Sequence, residues 1–420
     1  MNYFSFHRNI QLRLALQFFT TLASSAVIPF LAIFFSSKVG EFATGLMYIG
    51  VILSGITGAL LGGRRADQRG RKDTILLCEG MIGIGYLVAG ISNLIYSLSP
   101  YANFGIFLVI LFFTGMAGPA YGAVIIDAST KENRKAVYTV SYWLNNLAVA
   151  AGGIIGAFLF KKYPYEMFIG ISLVALLSWV VTKIWLQDIH VSATAANISQ
   201  QATKSWLENY RRILSNKRFV FFTIAGLFLF SLEESLTTYM GIKLVEEIKN
   251  PVSIFPLTAF FEVDGFQLIG LLKAENTILV VLLSLVIAGL LKKYQDRLLM
   301  LGGGFCYAFG FIVISYSSVP VVLIIAMFVA TIGELAHIPA KQAYLVSLIP
   351  DDARGSYMAV YGLSLHFSGI IAALFVMLSG IISAGMITFL FVLMGVVSLI
   401  IYYVLFQTEH KEKSMDKTTA

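Results

Sequence analysis

The feature that most constrains this chain is a series of long apolar runs separated by short polar connections. Twelve such runs can be counted, at approximately 10–36, 41–63, 74–98, 102–128, 137–160, 165–187, 218–245, 276–292, 298–317, 320–348, 355–381 and 383–407. A bilayer core is about 30 Å thick, and a helix needs about 20 consecutive apolar residues to cross it. Each run is therefore an expected membrane-spanning helix. Transmembrane β-barrels read as short alternating segments and are excluded. Only 13% of the 420 residues are charged, against 58% hydrophobic, whereas a soluble domain carries about 25% charged residues. That excludes a soluble enzyme, and the abundant apolar surface excludes a disordered chain. The first run follows His7 and Arg8 and contains Arg13, like the start of a signal peptide. It is too long for that role, and eleven more runs follow, so a retained helix is expected.

Basic residues orient the spans. Arg64, Arg65, Arg69, Arg71 and Lys72 follow span two, Lys131, Arg134 and Lys135 follow span four, and Lys204, Arg211, Arg212, Lys217 and Arg218 follow span six. Lys292, Lys293 and Arg297 follow span eight, Arg354 follows span ten, and Lys411, Lys413 and Lys417 lie in the tail. All fall on one side. The connections near 99, 318 and 382 on the other side hold no Lys or Arg. The positive-inside rule places both termini in the cytoplasm. The net charge of +7 thus reflects topology, and no nucleic-acid partner is expected. Cys78 and Cys306 lie inside apolar runs and read as packing residues, with no disulfide or metal.

The longest connection, 188–217, divides the spans six and six. The expected fold class is an all-α integral membrane protein with twelve transmembrane helices in two six-helix bundles. The first bundle covers 1–187 and the second 218–410, followed by a cytoplasmic tail at 411–420. Within the linker, Trp206, Tyr210 and Ile213 recur at helical spacing over 203–215; an interfacial amphipathic helix and a solvated linker both suit it. An external insert at 246–275, with Pro251, Pro256, Glu262 and Asp264, reads as a small cap or a re-entrant segment. Pro119, Ala120, Ala123 and Arg134 recur as Pro339, Ala340, Ala343 and Arg354, all at an offset of 220. Two related halves with a site between them is a transporter design.

The turn after span two reads Gly62-Gly63-Arg64-Arg65-Ala66-Asp67-Gln68-Arg69-Gly70-Arg71-Lys72. Glycines permit a tight turn and close helix approach. Asp67 is one acid among five cations, so it is expected to be ionised and paired, as a latch between helices or as an incidental acid in a basic loop.

Gly63, Asp67, Gly70, Arg71 and Lys72 resemble the signature of the major facilitator superfamily. Gln68 departs from it, because a basic residue usually follows the Asp. Ile125-Ile126-Asp127-Ala128-Ser129, Glu132-Asn133-Arg134-Lys135, Tyr142-Trp143, Asn146-Leu147, Gly333-Glu334 with Pro339, and Gly355-Ser356-Tyr357 narrow the resemblance to its drug/proton antiporters. That resemblance implies multidrug efflux and antibiotic resistance, and puts Asp127 and Arg134 in a cytoplasmic gate. Ser141 stands where the most similar antiporter holds an acid, span twelve has no acid, and Ala151-Gly152-Gly153-Ile154-Ile155-Gly156 keeps the glycines of the span-five motif without its proline. Thr114-Gly115-Met116 occupies the region where such exporters carry an arginine.

An acid near the bilayer midplane is costly and is functional by default. Glu233 and Glu234 in span seven and Glu334 in span ten meet that condition. Glu334 is the first choice for proton coupling, because desolvation favours its neutral form and lets it exchange a proton as a lipophilic cation comes and goes. Glu233 and Glu234 are adjacent and point about 100° apart, so one of them is expected to serve. His337, one turn beyond Glu334, and His366 read as proton relays or as packed histidines. Lys341 could pair with an acid. Gln17, Met116, Tyr142, Trp143, Asn145, Asn146, Tyr239 and Tyr344 qualify by type for a cavity lining, since aromatic faces suit organic cations and Met adapts to varied shapes; ordinary packing is the alternative for each.

No Gly-Lys dipeptide occurs, hence no Walker A loop; no enzyme activity and no cofactor are expected. The expected function is proton-coupled export of lipophilic, cationic compounds by a monomer in a bacterial plasma membrane, with protons, the small lipophilic substrate and membrane lipids as its partners. A lipid or glycolipid flippase, a nutrient symporter and a non-transporting sensor are the alternatives.

Overall fold

The computed structural model describes residues 6–96, 99–130, 133–187, 211–254, 262–291, 293–350 and 354–419. Helices dominate it: α1 (Arg8–Ser25), α2 (Leu31–Arg69), α3 (Arg71–Tyr96), α4 (Pro100–Ala128), α5 (Arg134–Leu159), α6 (Pro164–Trp185), α7 (Lys217–Glu234), α8 (Tyr239–Glu247), α9 (Gly265–Leu291), α10 (Asp296–Tyr316), α11 (Pro320–Leu348), α12 (Arg354–Ser379) and α13 (Ala384–Thr419). Two two-residue strands, β1 (Val252–Ser253) and β2 (Glu262–Val263), lie between α8 and α9.

Among the described residues, eleven helical stretches are long and apolar enough to cross a membrane. The first, Arg8–Arg69, is 62 residues long, far more than a bilayer needs. It is broken by a 3-10 turn at Ile28–Phe30 and by Gly40, whose φ of 77° lies in the left-handed region. Dividing it at Gly40 recovers both of the first two predicted runs.

Two other boundaries differ from expectation. The run at 218–245 is interrupted by a 3-10 turn at Ser235–Thr237. There Ser231, Ser235 and Thr238 each donate a hydroxyl to the carbonyl four residues earlier, which bends helices. The run at 276–292 begins early, at Gly265. Asp264 and Gln267 exchange hydrogen bonds, Gln267 N to Asp264 Oδ1 at 2.9 Å and Asp264 N to Gln267 Oε1 at 3.1 Å. This is a capping box, and it converts much of the expected insert into helix. Pro256 of that insert lies outside the described residues, as do Lys204, Trp206 and Tyr210 of the linker; residues 211–215 are helical and Ile213 is buried.

The chain forms two compact units. The first comprises Met1–Ala193, Gly241–Pro251 and Val263–Ile278, and the second Thr194–Met240, Val252–Glu262 and Leu279–Ala420. In the first unit α2 packs on α4, α3 on α4 and α6, and α1 on α5 and α6. The α2–α4 contact is backbone on backbone: a Cβ at Gly58 would stand 1.9 Å from the Phe112 carbonyl oxygen, and one at Gly62 2.2 Å from that of Met116. Small residues permit such approach, which is how helices gain packing energy where lipid is as apolar as the interface. The start of α9 joins this unit through the Phe30–Phe266 ring stack at 4.6 Å and the Lys161–Asp264 ion pair at 2.5 Å.

In the second unit α10 packs on α11 and α13, and α7 on α12 and α13. A Cβ at Gly333 would meet the Tyr307 nitrogen at 2.3 Å. The repeat read from four residues extends to whole helices. The starts of α4, α5 and α6, at Pro100, Arg134 and Pro164, recur as the starts of α11, α12 and α13, at Pro320, Arg354 and Ala384, each at the offset of 220. Pro119 and Pro339 lie at matching places inside α4 and α11.

Candidate functional site

The basic turn forms around the α2–α3 corner. Gly70, with φ 94°, closes α2 and donates its N–H to the Ala66 carbonyl. Ala66 is buried and Asp67 is exposed, as the turn of about 100° per residue requires. The expected pairing of Asp67 is therefore corrected: among the described residues it makes no ion pair within 4 Å, and Arg71 Nε lies 2.8 Å from Asp127 Oδ2 on α4 instead. Arg65 pairs with Asp73 at 2.9 Å. Lys72 Nζ donates to the Leu186 carbonyl at 2.8 Å. Arg134 does not pair with Asp127; it donates to Ser129 Oγ and to the Ile126 carbonyl, capping the end of α4. A Cβ added at Gly63 would meet only Pro119 Cβ within 4 Å, at 3.9 Å.

A second cluster in the first unit was missed by sequence reasoning. Arg13 of α1 and Glu79 of α3 are 4% and 2% exposed and pair at 3.3 Å. The same Glu79 Oε1 accepts from Ser178 Oγ at 2.7 Å and Tyr121 OH at 3.2 Å. The Arg13 guanidinium sits 3.4 Å from the centre of the Tyr121 ring. Glu79 and Tyr121 border a cavity of about 160 Å³ with Thr20, Thr21, Tyr86 and Thr114. The available signal was an acid one turn inside span three with a base inside span one; by itself it reads as an interfacial charge.

The predicted acids of the second unit gather around Lys341. This lysine is 1% exposed, with Nζ 3.6 Å from the centre of the Phe230 ring. Glu233 and Glu334 both lie within coulombic reach of it. Glu233 is half-buried and accepts from Tyr307 OH at 2.6 Å, whereas Glu234 is exposed. Glu334 is half-buried and acts on Tyr307 as well. The cluster thus brings one buried base within reach of two acids. His337 is fully buried, with Nδ1 3.0 Å from the Met300 carbonyl oxygen, between the rings of Tyr307 and Tyr402. His366 is exposed on α12.

The predicted lining residues divide. Gln17 Oε1 accepts from Ser141 Oγ at 3.3 Å, and Asn145 Oδ1 from Thr21 Oγ1 at 3.4 Å, so both join the α1–α5 seam. Asn146 Nδ2 donates to the Tyr142 carbonyl on its own helix. Tyr142 and Trp143 are exposed on α5. Met116 is a correction: it is buried against Cys78 and Ala117, with its backbone against Gly62, because α4 turns its glycine-facing side to α2. Tyr239 and Tyr344 are also buried, packed on Phe391 and on Phe222 and Phe406.

The model of the Major Facilitator Superfamily matches residues 14–263 and 248–419, nearly the whole chain. The chain belongs to the Major Facilitator Superfamily. Among its relatives in this superfamily is a Na(+), Li(+), K(+)/H(+) antiporter of Planococcus maritimus, 26% identical over 377 residues, which cover 87% of this chain and 88% of that protein. Another is the multidrug resistance protein MdtH of Baumannia cicadellinicola subsp. Homalodisca coagulata, 22% identical over 74% of this chain and 69% of that one. Solved structures of a peptide transporter, POT, and of the nucleoside transporter NupG superpose with TM-scores of 0.75 and 0.73, each at 15% identity. They cover 98% and 95% of this chain, and 96% and 100% of their own; they share its fold. As a superfamily member the chain is a multi-pass secondary membrane transporter, not an enzyme.

Proposed function

We propose that this transporter exports lipophilic cations in exchange for protons, by alternating access in a bacterial plasma membrane with both termini cytoplasmic. The observation that carries the reading is Lys341 shared by Glu233 and Glu334. Both acids act on the same buried lysine, so a change of charge at either one is felt by the other through Lys341. A cation entering the cluster and a proton leaving it are electrostatically equivalent exchanges, which is antiport in its simplest form. Glu334 remains the proposed carrier and Glu233 its partner; Glu234, Asp127 and His337 are secondary candidates. Motifs resembling the bacterial multidrug transporter LmrP, together with the MdtH relative, support a drug-like cargo. Arg71–Asp127 is the proposed cytoplasmic latch, and Gln17, Tyr142, Trp143, Asn145 and Asn146 the proposed substrate contacts. The proposed domain division places bundles at 1–187 and 218–410 on either side of the linker.

A second reading, exchange of monovalent metal cations for protons, is favoured by the Planococcus maritimus relative. Purified protein tests both. Proton release into weak buffer on adding a lipophilic cation, abolished by Glu334→Gln, supports drug export. Release on adding Na⁺, Li⁺ or K⁺ alone replaces it with the second reading, and no release with either overturns both.

A further inference from the structure

The turn from α9 into α10 carries Lys293 and Arg297, and neither side chain forms an ion pair among the described residues. Against these two cations stands one acid, Asp296, exposed in the first turn of α10. The described side chains of the turn therefore keep one positive charge in surplus. Gln295, the N-cap of α10, makes no side-chain bond to the free N–H groups of that first turn, and a helix N-terminus favours anions. The Arg297 guanidinium lies 5.3 Å from the centre of the Tyr403 ring on α13, and the Tyr403 hydroxyl accepts from Gln407 Nε2 at 2.9 Å. A cleft of about 540 Å³ is bordered by Lys293, Arg297, Leu298 and Leu301, so it passes from charge to hydrocarbon within one turn of helix.

Beyond the cleft, α10 and α13 present one continuous apolar face. Arg297 meets Tyr403, a Cβ at Gly304 would meet Leu399, and one at Gly395 would meet Ala308 at 3.2 Å. The numbers rise along one helix as they fall along the other, so the two run antiparallel. Leu298, Phe305 and Phe309 each follow one of the facing residues of α10 by a single step, and Val396 and Ile400 do the same on α13. One step turns a side chain by about 100°, and in antiparallel neighbours that turn brings both sets to the same side of the seam. All five are exposed, as is Tyr403.

We infer that this face seats one singly charged anionic phospholipid, with its phosphodiester on Lys293 and Arg297 and its acyl chains along the exposed side of the α10–α13 seam. The unpaired cations supply the charge complementarity, and the surplus of one matches a headgroup of charge −1. Tyrosines mark the level of lipid headgroups, and Tyr294 and Tyr403 stand beside the two cations. Free phosphate shares the headgroup's chemistry but leaves the apolar face unused. A zwitterionic lipid covers that face but brings no net charge to the cations. The basic turn lies on the side proposed as cytoplasmic, whose leaflet carries the anionic lipids that attract Lys and Arg. The binding itself depends neither on that orientation nor on the cargo proposed above.

Quenching of an introduced tryptophan by brominated lipid chains tests the site, with the full-length transporter in bilayers that mix phosphatidylcholine and phosphatidylglycerol, one or the other brominated. Phe305→Trp is read as the difference from the unsubstituted protein. Phosphatidylglycerol is expected to be preferred over phosphatidylcholine at position 305 by about five-fold or more, the gain from one cation at an anionic surface. The preference is expected to vanish when Phe305→Trp is combined with Lys293→Gln and Arg297→Gln. Tyr316→Trp, at the opposite end of α10, is expected to show no preference. Equal quenching by the two lipids at 305 overturns the proposal. So does a preference that survives loss of both cations, or one that is equally strong at 316. A preference abolished by millimolar inorganic phosphate at constant ionic strength marks a site for free anions and overturns the lipid as its occupant. Should Phe305→Trp disturb the fold, Val396→Trp reads the same face from α13, and the same outcomes decide.

Discussion

Tyr307 donates its hydroxyl hydrogen to Glu233 Oε2 across 2.6 Å, joining α10 to α7 beside the buried ammonium of Lys341. The phenol therefore ties one of the two acids to the neighbouring helix by a direct bond. Hydrogen bonds to charged groups contribute about 1.5–3 kcal/mol. Tyr307→Phe keeps the ring against Phe311, so the expected loss of stability stays within that range. Transport measured against pH in proteoliposomes should change its profile. A profile identical to wild type would detach Glu233 from coupling.

Lys341 is buried within coulombic reach of both Glu233 and Glu334. Both acids are half-buried, so their attraction to Lys341 is worth less than a fully buried ion pair, whose breaking costs about 3–5 kcal/mol. Lys341→Gln is expected to lower stability by less than that, and Lys341→Gln with Glu233→Gln to recover a large part of the loss. Unfolding of the single and double variants in detergent checks this through the coupling energy; simple additivity would show that the charges do not interact.

Arg71 and Asp127 form an ion pair at 2.8 Å, with the two side chains 25% and 13% exposed. A partly exposed pair is worth about 0.2–1 kcal/mol, too little to hold the fold but enough to bias a conformational equilibrium. Arg71→Ala and Asp127→Asn are expected to slow transport with little change in melting temperature, and the double variant to be no slower than the worse single one. Doubly slowed transport would mean that the two residues act separately.

Gly62→Ala places a methyl group 2.2 Å from a backbone carbonyl of α4. The helices must part, and overpacking of this kind costs about 1–3 kcal/mol. Gly122→Ala on α4 meets nothing within 4 Å and is expected to be neutral or stabilising, since Ala is favoured over Gly in a helix by about 1 kcal/mol. Thermal unfolding of the two variants compares them directly. Equal stability would show that the α2–α4 contact yields without cost.

Much of the fold was legible because bilayer crossing is a local property. Residues 320–348 read as a span from composition alone and form α11 with those bounds. The helix breaks were harder to see. Ser231, Ser235 and Thr238 bend the α7–α8 segment through side-chain bonds to their own backbone, which average hydropathy does not register. The acids of the second unit were found because a charge inside an apolar run stands out. Tyr307 was not, because a phenol is unremarkable in a chain with 20 tyrosines until its hydroxyl reaches a carboxylate.

From the order of residues alone came the membrane-spanning class, the positions of the spans, the basic turn after span two and the repeat at an offset of 220. Each depends on summed hydropathy or on chain spacing, which survive any arrangement of the helices. Tertiary packing alone chose which acid meets which base: Asp127 and not Asp67 for Arg71, and Glu79 for Arg13 across 66 positions of chain. That choice depends on how far each helix is rotated about its axis and where it crosses its neighbour. A change of one residue in register turns a side chain by about 100°, from a buried partner to the outer face.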